Sequence, residues 1–314
     1  MNILFFGSAF IAKEYLEELC RRSYTILVVT VPDKPISRGQ KFGSSILKAY
    51  SQEKNISFIQ PEKFTSDIVK KIKNFNSDVG VVVEYGKLIP KLVFNLPKHR
   101  TFNIHFSLLP KYRGAAPVQH ALCSGETETG VTSFYVDERF DSGDVIIQKR
   151  SKISQQDNAK TLFNKLSNLG INVMNETLEY LQSGKFIAMS QIGEPSFAPS
   201  FKKDKGLIKW DKSAVEVCNQ FRGLYVWPGI YSFISHGKLF GKRIKFIEVE
   251  LFDRNSINKS FGVLHSIERR KGFTVSCAVG KILVTKIQLE NKPIVNAWDF
   301  VQGGLISPGN RFKT

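Results

Sequence analysis

The sequence is poor in the residues and motifs that mark several large classes of protein. It has four cysteines, and none of them stands at a CxxC or Cys/His spacing, so neither a disulfide framework nor a bound metal is expected. No apolar run approaches the ~20 residues that cross a bilayer. The N-terminal residues also lack the charged flank and the cleavage site of a signal peptide. These absences predict a cytoplasmic protein without a membrane segment.

Three glycine-containing motifs of common enzymes are also missing. The first predicted strand ends in Gly7, but the following GSAFIA lacks the later glycines of a dinucleotide-binding turn. Neither a phosphate-binding G-x-x-x-x-G-K-[ST] loop nor a G-x-S-x-G nucleophile turn occurs. Dinucleotide, phosphoryl-transfer and serine-hydrolase chemistry are therefore not supported.

Acidic residues are scarce relative to basic ones. The chain has 45 Lys+Arg against 28 Asp+Glu, a net charge of +17, and the excess is concentrated in residues 201–314. Such an excess predicts a polyanionic partner such as nucleic acid. A lysine-rich surface that only keeps the protein soluble would give the same composition.

The first half of the chain alternates short apolar runs with amphipathic stretches, which predicts an α/β domain with a Rossmann-like, mostly parallel sheet. A hairpin with its loop at 137–144 and a helix over 158–184 should follow. The predicted parallel strands are 2–7, 25–31, 56–60, 78–86 and 101–105.

The last third of the chain has a different pattern of apolar and polar residues. Residues 190–205 contain Pro, Ser and Lys without periodicity and are predicted to be a linker. Short β-like runs punctuated by glycine turns follow, which favours a small all-β, OB-like barrel. The predicted domains are therefore 1–189 and 206–314, joined by 190–205.

Two polar side chains interrupt the strand predicted at 101–105. Asn103 and His105 are two residues apart and should share one face, while Phe102 and Ile104 face the core. At the carboxyl end of a parallel strand, an amide and an imidazole can donate hydrogen bonds to a developing oxyanion. The alternative is a polar pair with a purely structural role.

An imidazole used in catalysis usually has a carboxylate beside it. The loop DERFDSGD offers Asp137, Asp141 and Asp144. Spacing alone does not choose among the three, and DSG is also ordinary turn chemistry.

The run NIHFSLLPKYRGAAP, followed by GVT and FDSGD, resembles the folate-dependent formyltransferases. Within that family the chain is similar to the branch that acts on methionyl-initiator tRNA, and the similarity extends from end to end. The other motifs that carry it are PDKPISRGQK, SFAP, KGLIKWD, FRGLYVWPG and PGNRF.

The resemblance implies an Asn-x-His…Asp catalytic set formed by Asn103, His105 and Asp141. It also implies 10-formyltetrahydrofolate as cosubstrate, no metal and a tRNA partner. A monomeric enzyme is expected. The folate wall would consist of Tyr85, Gly86, Ser107, Leu108, Leu109 and Pro110. The residues expected to contact tRNA are Arg38, Lys41, Lys202, Lys203, Lys242 and Arg243.

Two departures from the family pattern fall near the expected site. Glu84 stands where a small residue usually precedes Tyr-Gly, and Phe106 replaces a small residue before SLLP.

Three other functions are also compatible with the sequence. They are formyl transfer to a nucleotide-linked amino sugar, hydrolysis of the folate to release formate, and RNA binding without catalysis.

Overall fold

The computed structural model describes residues 1–35, 42–43, 45–184 and 187–313. Arg38 and Lys41, two of the predicted tRNA contacts, lie outside these residues. The chain forms two compact units. Unit 1 comprises Met1–Gly114, Thr129–Lys152 and Asn164–Phe197, and unit 2 comprises Ala115–Glu128, Ile153–Phe163 and Ala198–Thr314. The domain boundaries drawn from the sequence remain a prediction.

The N-terminal half alternates strands and helices. Its strands are β1 (Asn2–Gly7), β2 (Thr25–Val29), β3 (Lys34–Pro35), β4 (Phe42–Gly43), β5 (Ser57–Ile59), β6 (Val79–Val83), β7 (Thr101–His105), β8 (Glu128–Tyr135) and β9 (Val145–Lys152). Its helices are α1 (Phe10–Arg21), α2 (Ile46–Glu53), α3 (Ser66–Asn74), α4 (Lys91–Phe94), α5 (Pro117–Cys123) and α6 (Ala159–Gln182).

The main sheet of unit 1 has the strand order β5-β2-β1-β6-β7-β8-β9. The pairs from β5 to β7 are parallel, and β7 pairs with β8 antiparallel. The central strands are buried along nearly their whole length, as expected when helices cover both faces of a parallel sheet. The predicted α/β fold is confirmed.

Helix α1 packs on this sheet through one apolar stripe. Ile11, Tyr15 and Leu19 recur every four residues and are buried. Gly7 makes the close approach possible, because a Cβ at that position would lie 2.7 Å from the Ala12 Cβ. The first turn therefore needs its glycine for packing.

The C-terminal part contains mostly strands. They are β10 (Ile230–Ile234), β11 (Arg243–Ile257), β12 (Leu264–Glu268), β13 (Gly272–Ser276), β14 (Val279–Leu289), β15 (Ile294–Asn296) and β16 (Phe312–Lys313). Helices α7 (Ala214–Gly223) and α8 (Ala297–Gln302) and the 3-10 turns Lys203–Gly206 and Gly237–Leu239 accompany them.

The strands of unit 2 form an antiparallel sheet in the order β12-β13-β14-β11-β10-β16. A bridge between Val263 and Arg311 joins the two ends of this order, so the sheet closes into a barrel. Trp210, Phe246 and Phe312 fill its interior, and the Trp210 indole N–H donates to a buried serine hydroxyl at 3.1 Å. The all-β prediction for this region is confirmed.

Helix α7 was not predicted, although its start carries a recognisable signal. Ser213 and Glu216 form a capping box, in which the serine hydroxyl accepts the Glu216 N–H and the glutamate accepts the Ser213 N–H. An S-x-x-E spacing before an apolar run therefore could have located this helix.

Two absences apply only to the described residues. None of their helices is both long and apolar enough to cross a membrane. The same part of the chain holds no group of three His, Cys, Asp or Glu side chains that could bind a metal ion.

Candidate active site

Two loops of unit 1 meet where the strand order of the sheet reverses. Strand β1 pairs with both β2 and β6, and open α/β sheets bind ligands at the carboxyl ends of such strands. Ser8 follows β1, and its Oγ lies 2.7 Å from the Glu84 carbonyl and 2.9 Å from the Tyr85 carbonyl. The hydroxyl thus fastens the loop after β6 to the loop after β1. Glu84 and Gly86 have left-handed backbones there, with φ of +48° and +70°.

Asn103 and His105 lie on one face of β7, as the two-residue spacing predicts. Asn103 is half-buried, and its amide has no hydrogen-bond partner among the described residues. His105 is 6% exposed, and its ring meets the Phe134 ring edge to face at 6.3 Å. The asparagine amide is therefore available to a substrate, while the imidazole is fixed by its surroundings.

The His105 ring is oriented by a backbone carbonyl that follows in the chain. Its Nε2 lies 2.9 Å from the Tyr112 carbonyl oxygen, which can only accept, so Nε2 carries a hydrogen. Tyr112 has a φ of +61°, which is uncommon for a residue with a side chain. The other ring nitrogen, Nδ1, faces Asp141 Oδ2 at 3.7 Å. Nδ1 is therefore the nitrogen left for a substrate.

Of the three aspartates in the 137–144 loop, Asp141 is the one that the structure places beside His105. The Gly114 N–H donates to Asp141 Oδ2 at 2.8 Å and holds the carboxylate there. Asp137 instead accepts from a serine of its own loop at 2.8 Å, and Asp144 accepts from a serine at 3.1 Å. The geometry thus favours the aspartate that the family resemblance singled out.

The SLLP segment after β7 is held by polar side chains of β8 and β9. The Thr132 hydroxyl donates to the Ser107 carbonyl at 2.7 Å. Gln148 Nε2 donates to the Leu109 carbonyl at 3.0 Å and to Thr132 Oγ1 at 2.9 Å. These bonds satisfy backbone groups that would otherwise be buried without partners, and they fix the path of the segment.

Most side chains of the predicted folate wall are buried in the protein. The Ser107 hydroxyl donates to a carbonyl of its own turn at 2.6 Å, and burial raises the pKa of Tyr85 to about 12. Leu109 and Pro110 are also buried, whereas Leu108 is half-buried and Gly86 is exposed. The surface open to a ligand is thus formed by Leu108, Gly86 and backbone groups.

The Leu108 side chain can pack against β8 because Gly130 has no side chain. A Cβ at residue 130 would lie 2.4 Å from Leu108 Cδ2 and 2.1 Å from the Lys149 carbonyl oxygen. The glycine of the GVT motif therefore lets the SLLP segment lie close to β8.

The two departures from the family pattern have different environments. Phe106 is 1% exposed, so its ring belongs to the core and does not line an open surface. Glu84 reaches solvent at the reversal point of the sheet. Partial desolvation by the surrounding protein raises the pKa of its carboxyl above the usual range, and the negative charge of Asp141 adds to the rise.

Glu84→Gln is expected to stabilise the protein at neutral pH. The pKa of Glu84 is raised in the folded state. Its contribution to the free energy of unfolding is therefore most favourable below its pKa in the unfolded state, about 4.3, and is lost as the pH rises through its pKa in the folded state. The gain at pH 7 should stay below about 1 kcal/mol, since the exposed carboxyl is screened by solvent. Thermal unfolding of both proteins between pH 4 and 8 measures it. Glu62→Gln, at an exposed position, is the control, and equal Tm differences at all pH values would contradict the prediction.

The predicted tRNA contacts that can be described lie in unit 2. Lys202, Lys203 and Lys242 are exposed. Arg243 is half-buried, and its guanidinium lies 5.8 Å from the centre of the Tyr231 ring. Three of the four cations therefore point a charge into solvent.

Four residues that organise the site were not predicted from the sequence. Tyr112 and Gly114 orient His105 and Asp141 through backbone atoms, and Thr132 and Gln148 hold SLLP. Gly114 has a φ of +123°, so the glycine of the R-G pair was the available signal. Tyr112 and Thr132 lie in the runs NIHFSLLPKYRGAAP and GVT that carry the family resemblance, and no local pattern marks Gln148.

Comparisons with known proteins identify the family. Residues 1–178 match the family model described as formyl transferase, and residues 200–305 match the model of the formyl transferase C-terminal domain. Methionyl-tRNA formyltransferase of Endomicrobium trichonymphae is 64% identical over 99% of this chain and 100% of its own length. The chain belongs to the methionyl-tRNA formyltransferase family. It is therefore a formyl-transferring enzyme.

A second member of this family is the Thermodesulfovibrio yellowstonii protein, 39% identical over 98% of this chain and 97% of its own. Solved structures show the same fold at lower identity. The Helicobacter canadensis N-formyltransferase, in complex with folinic acid and dTDP-3-aminofucose, matches with a TM-score of 0.67 and 20% identity over 90% of this chain and 98% of its own. HypX from Aquifex aeolicus, in complex with tetrahydrofolic acid, matches with a TM-score of 0.63 and 16% identity over 95% of this chain and 46% of its own.

Proposed function

We propose that the chain transfers the formyl group of 10-formyltetrahydrofolate to the α-amino group of methionyl-initiator tRNA, giving formylmethionyl-tRNA for translation initiation. The observation that carries this proposal is the set formed by Asn103, His105 and Asp141 at the carboxyl end of β7, in a chain of this family. A cytoplasmic, monomeric enzyme remains the expectation.

Asn103 and His105 stabilise the charge that develops on the formyl oxygen. As the amine nitrogen bonds to the formyl carbon, the Asn103 amide donates to that oxygen, and so does the Nδ1–H of His105 in its imidazolium form. Donors held in place before the reaction act without reorganisation, and each is worth about 10² to 10³ in rate. The Tyr112 carbonyl supports this role because it fixes the imidazole through the opposite nitrogen.

Asp141 has a role in moving protons. The attacking amine must lose a proton, and the N10 atom must gain one when its bond to the formyl carbon breaks. A carboxylate 3.7 Å from His105 Nδ1 can stabilise the imidazolium and accept the proton from the amine. When Asp141 passes this proton on to N10, the carboxylate is regenerated and the proton count is balanced without an external acid.

The folate would lie against the exposed part of the SLLP segment. Leu108 offers apolar surface, and the loop at Gly86 allows the backbone to approach a planar ring closely. The relatives solved with folate compounds share this fold, which agrees with a folate-type cosubstrate.

The acceptor would be held by the basic surface of unit 2. Exposed Lys202, Lys203 and Lys242 can neutralise backbone phosphates, the contacts that dominate affinity for nucleic acids. A nucleotide sugar needs no such surface, so the charge favours tRNA as the acceptor.

A transfer assay with labelled 10-formyltetrahydrofolate tests the function. Methionyl-initiator tRNA, a dTDP-linked amino sugar and buffer alone serve as the three acceptor conditions. We expect label on the tRNA only, with a KM for tRNA that rises steeply between low and moderate salt. Label on the sugar, or free formate without an acceptor, would refute the proposal in favour of the corresponding alternative.

A further inference from the structure

A short segment after α6 connects two parts of the active site of unit 1. We call residues 189–197 the strap. Met189 and Val145 exchange backbone hydrogen bonds of 2.8 and 2.9 Å, so the strap begins as a partner of β9. Although its composition resembles a linker, its hydrogen bonds go to residues 110–113 and 141–145, the two segments that flank His105 and Asp141.

Gln191 is the central contact of the strap. Its Nε2 donates to the carbonyl oxygens of Asp141 and Gly143, both at 2.9 Å. Its Oε1 accepts from Arg113 Nη2 at 2.7 Å and from Arg113 Nε at 3.2 Å. Both donors and both lone pairs of the amide are therefore used. A glutamate has no N–H donor, so of the two similar side chains only glutamine can make all four bonds.

The far end of the strap binds the segment that orients His105. Ser196 Oγ accepts the Tyr112 N–H at 2.8 Å, and the Ser196 carbonyl accepts the Arg113 N–H, also at 2.8 Å. Tyr112 is the residue whose carbonyl holds His105 Nε2. The strap thus holds the backbone on both sides of the pair formed by His105 and Asp141.

Asp141 needs such support because its backbone is unfavourable. It has a φ of +49°, in the left-handed region that non-glycine residues rarely adopt. Such conformations persist where surrounding contacts fix them, and they tend to occur at active sites. The bond from Gln191 to the Asp141 carbonyl acts directly on this residue.

We propose that Gln191 is a positioning residue for formyl transfer. It fixes the Asp141 backbone, and through it the carboxylate, beside His105 Nδ1. The effect of Gln191 on kcat rests on the proposed function. Its effect on the position of Asp141 does not, and that effect can be tested without substrate.

Gln191→Glu is the sharpest test, because it keeps the size of the side chain and the pairing with Arg113 but removes both N–H donors. We expect kcat to fall about 10-fold or more, since a misplacement of about 1 Å can cost ~10²-fold in rate. The KM values for both substrates should stay within about 3-fold of those of the parent enzyme. Gln191→Ala should show the same changes as Gln191→Glu. Raised KM values with unchanged kcat would overturn the proposal. Glu194→Ala, an exposed strap residue, is the matched control and should be unaffected.

A double substitution separates positioning from general stabilisation. If Gln191 acts through Asp141, adding Gln191→Glu to an Asp141→Asn protein should change kcat less than about 3-fold, because residues that act as a unit are not additive. A full additional loss would show that Gln191 acts independently of Asp141, and the proposal would fall.

Amide hydrogen exchange at Gly114 gives a readout that needs no substrate. This N–H donates to the Asp141 carboxylate, so displacement of Asp141 should speed its exchange. We expect faster exchange in Gln191→Glu and Gln191→Ala, and no change in Glu194→Ala. Unchanged exchange in both glutamine variants would refute the positioning role, even if the parent enzyme proved to use another acceptor.

Discussion

Asn103→Ala is expected to lower kcat/KM for formyl transfer by about 10² to 10³, the usual cost of removing one oxyanion donor. The loss should appear in kcat, because this hydrogen bond strengthens as charge develops on the formyl oxygen. The folded state should be little affected, since the amide has no partner among the described residues that the substitution would leave unsatisfied. Steady-state kinetics and thermal unfolding of the same preparation measure both expectations.

Two further variants sharpen this test. Asn103→Asp keeps the shape but replaces the donor with a negative charge aimed at the developing oxyanion, so it should be at least as inactive as the alanine variant. Asn74→Ala removes an exposed asparagine from the surface helix α3 and should leave turnover unchanged. Turnover of Asn103→Ala within about 3-fold of the parent would exclude the oxyanion role.

The strands were predictable because a buried sheet leaves a simple pattern. The runs at 2–7 and 101–105 agree with the observed strands residue for residue. The run at 78–86 extends past the end of β6 at Val83. Tyr85 is apolar enough to resemble a further strand residue. The left-handed backbone at Glu84, however, already turns the chain out of the strand. The periodicity of the sequence does not encode that turn.

The shared face of Asn103 and His105 was predictable for the same reason, since a period of two places their side chains together. The carboxylate was not, because the choice of Asp141 depends on a loop conformation and on an N–H at Gly114, 27 residues away in sequence. Only the family resemblance pointed to it.

The contacts of the supporting residues lie beyond what local patterns can indicate, although Ser196 belongs to the SFAP motif. Gln191 and Ser196 bind partners about 50 to 84 residues away, and neither belongs to a helix or strand with a period. Their sequence is typical of a loop, and only the folded chain shows what the loop holds in place. Sequence reasoning therefore found the groups proposed to react and missed those that position them.

Asp141→Asn is expected to lower kcat by about 10² or more while leaving the loop in place. An asparagine oxygen can still accept the Gly114 N–H, so the shape of the site is kept. The charge facing His105 Nδ1 is lost, and with it both the stabilisation of the imidazolium and the acceptor for the proton of the amine. Single-turnover measurements with bound substrates isolate this step from binding and product release.

Matched substitutions in the same loop decide whether the charge at residue 141 matters specifically. Asp137→Asn and Asp144→Asn each remove one negative charge from this loop, but their carboxylates bind serine hydroxyls and do not face His105. Both should retain turnover within about 3-fold of the parent. If either of them were as inactive as Asp141→Asn, the loss would reflect the net charge of the loop, and Asp141 would not be the proton-transferring carboxylate. If Asp141→Asn alone is inactive, the reaction requires a negative charge at residue 141, where the Gly114 amide and the Gln191 side chain hold the carboxylate beside the imidazole.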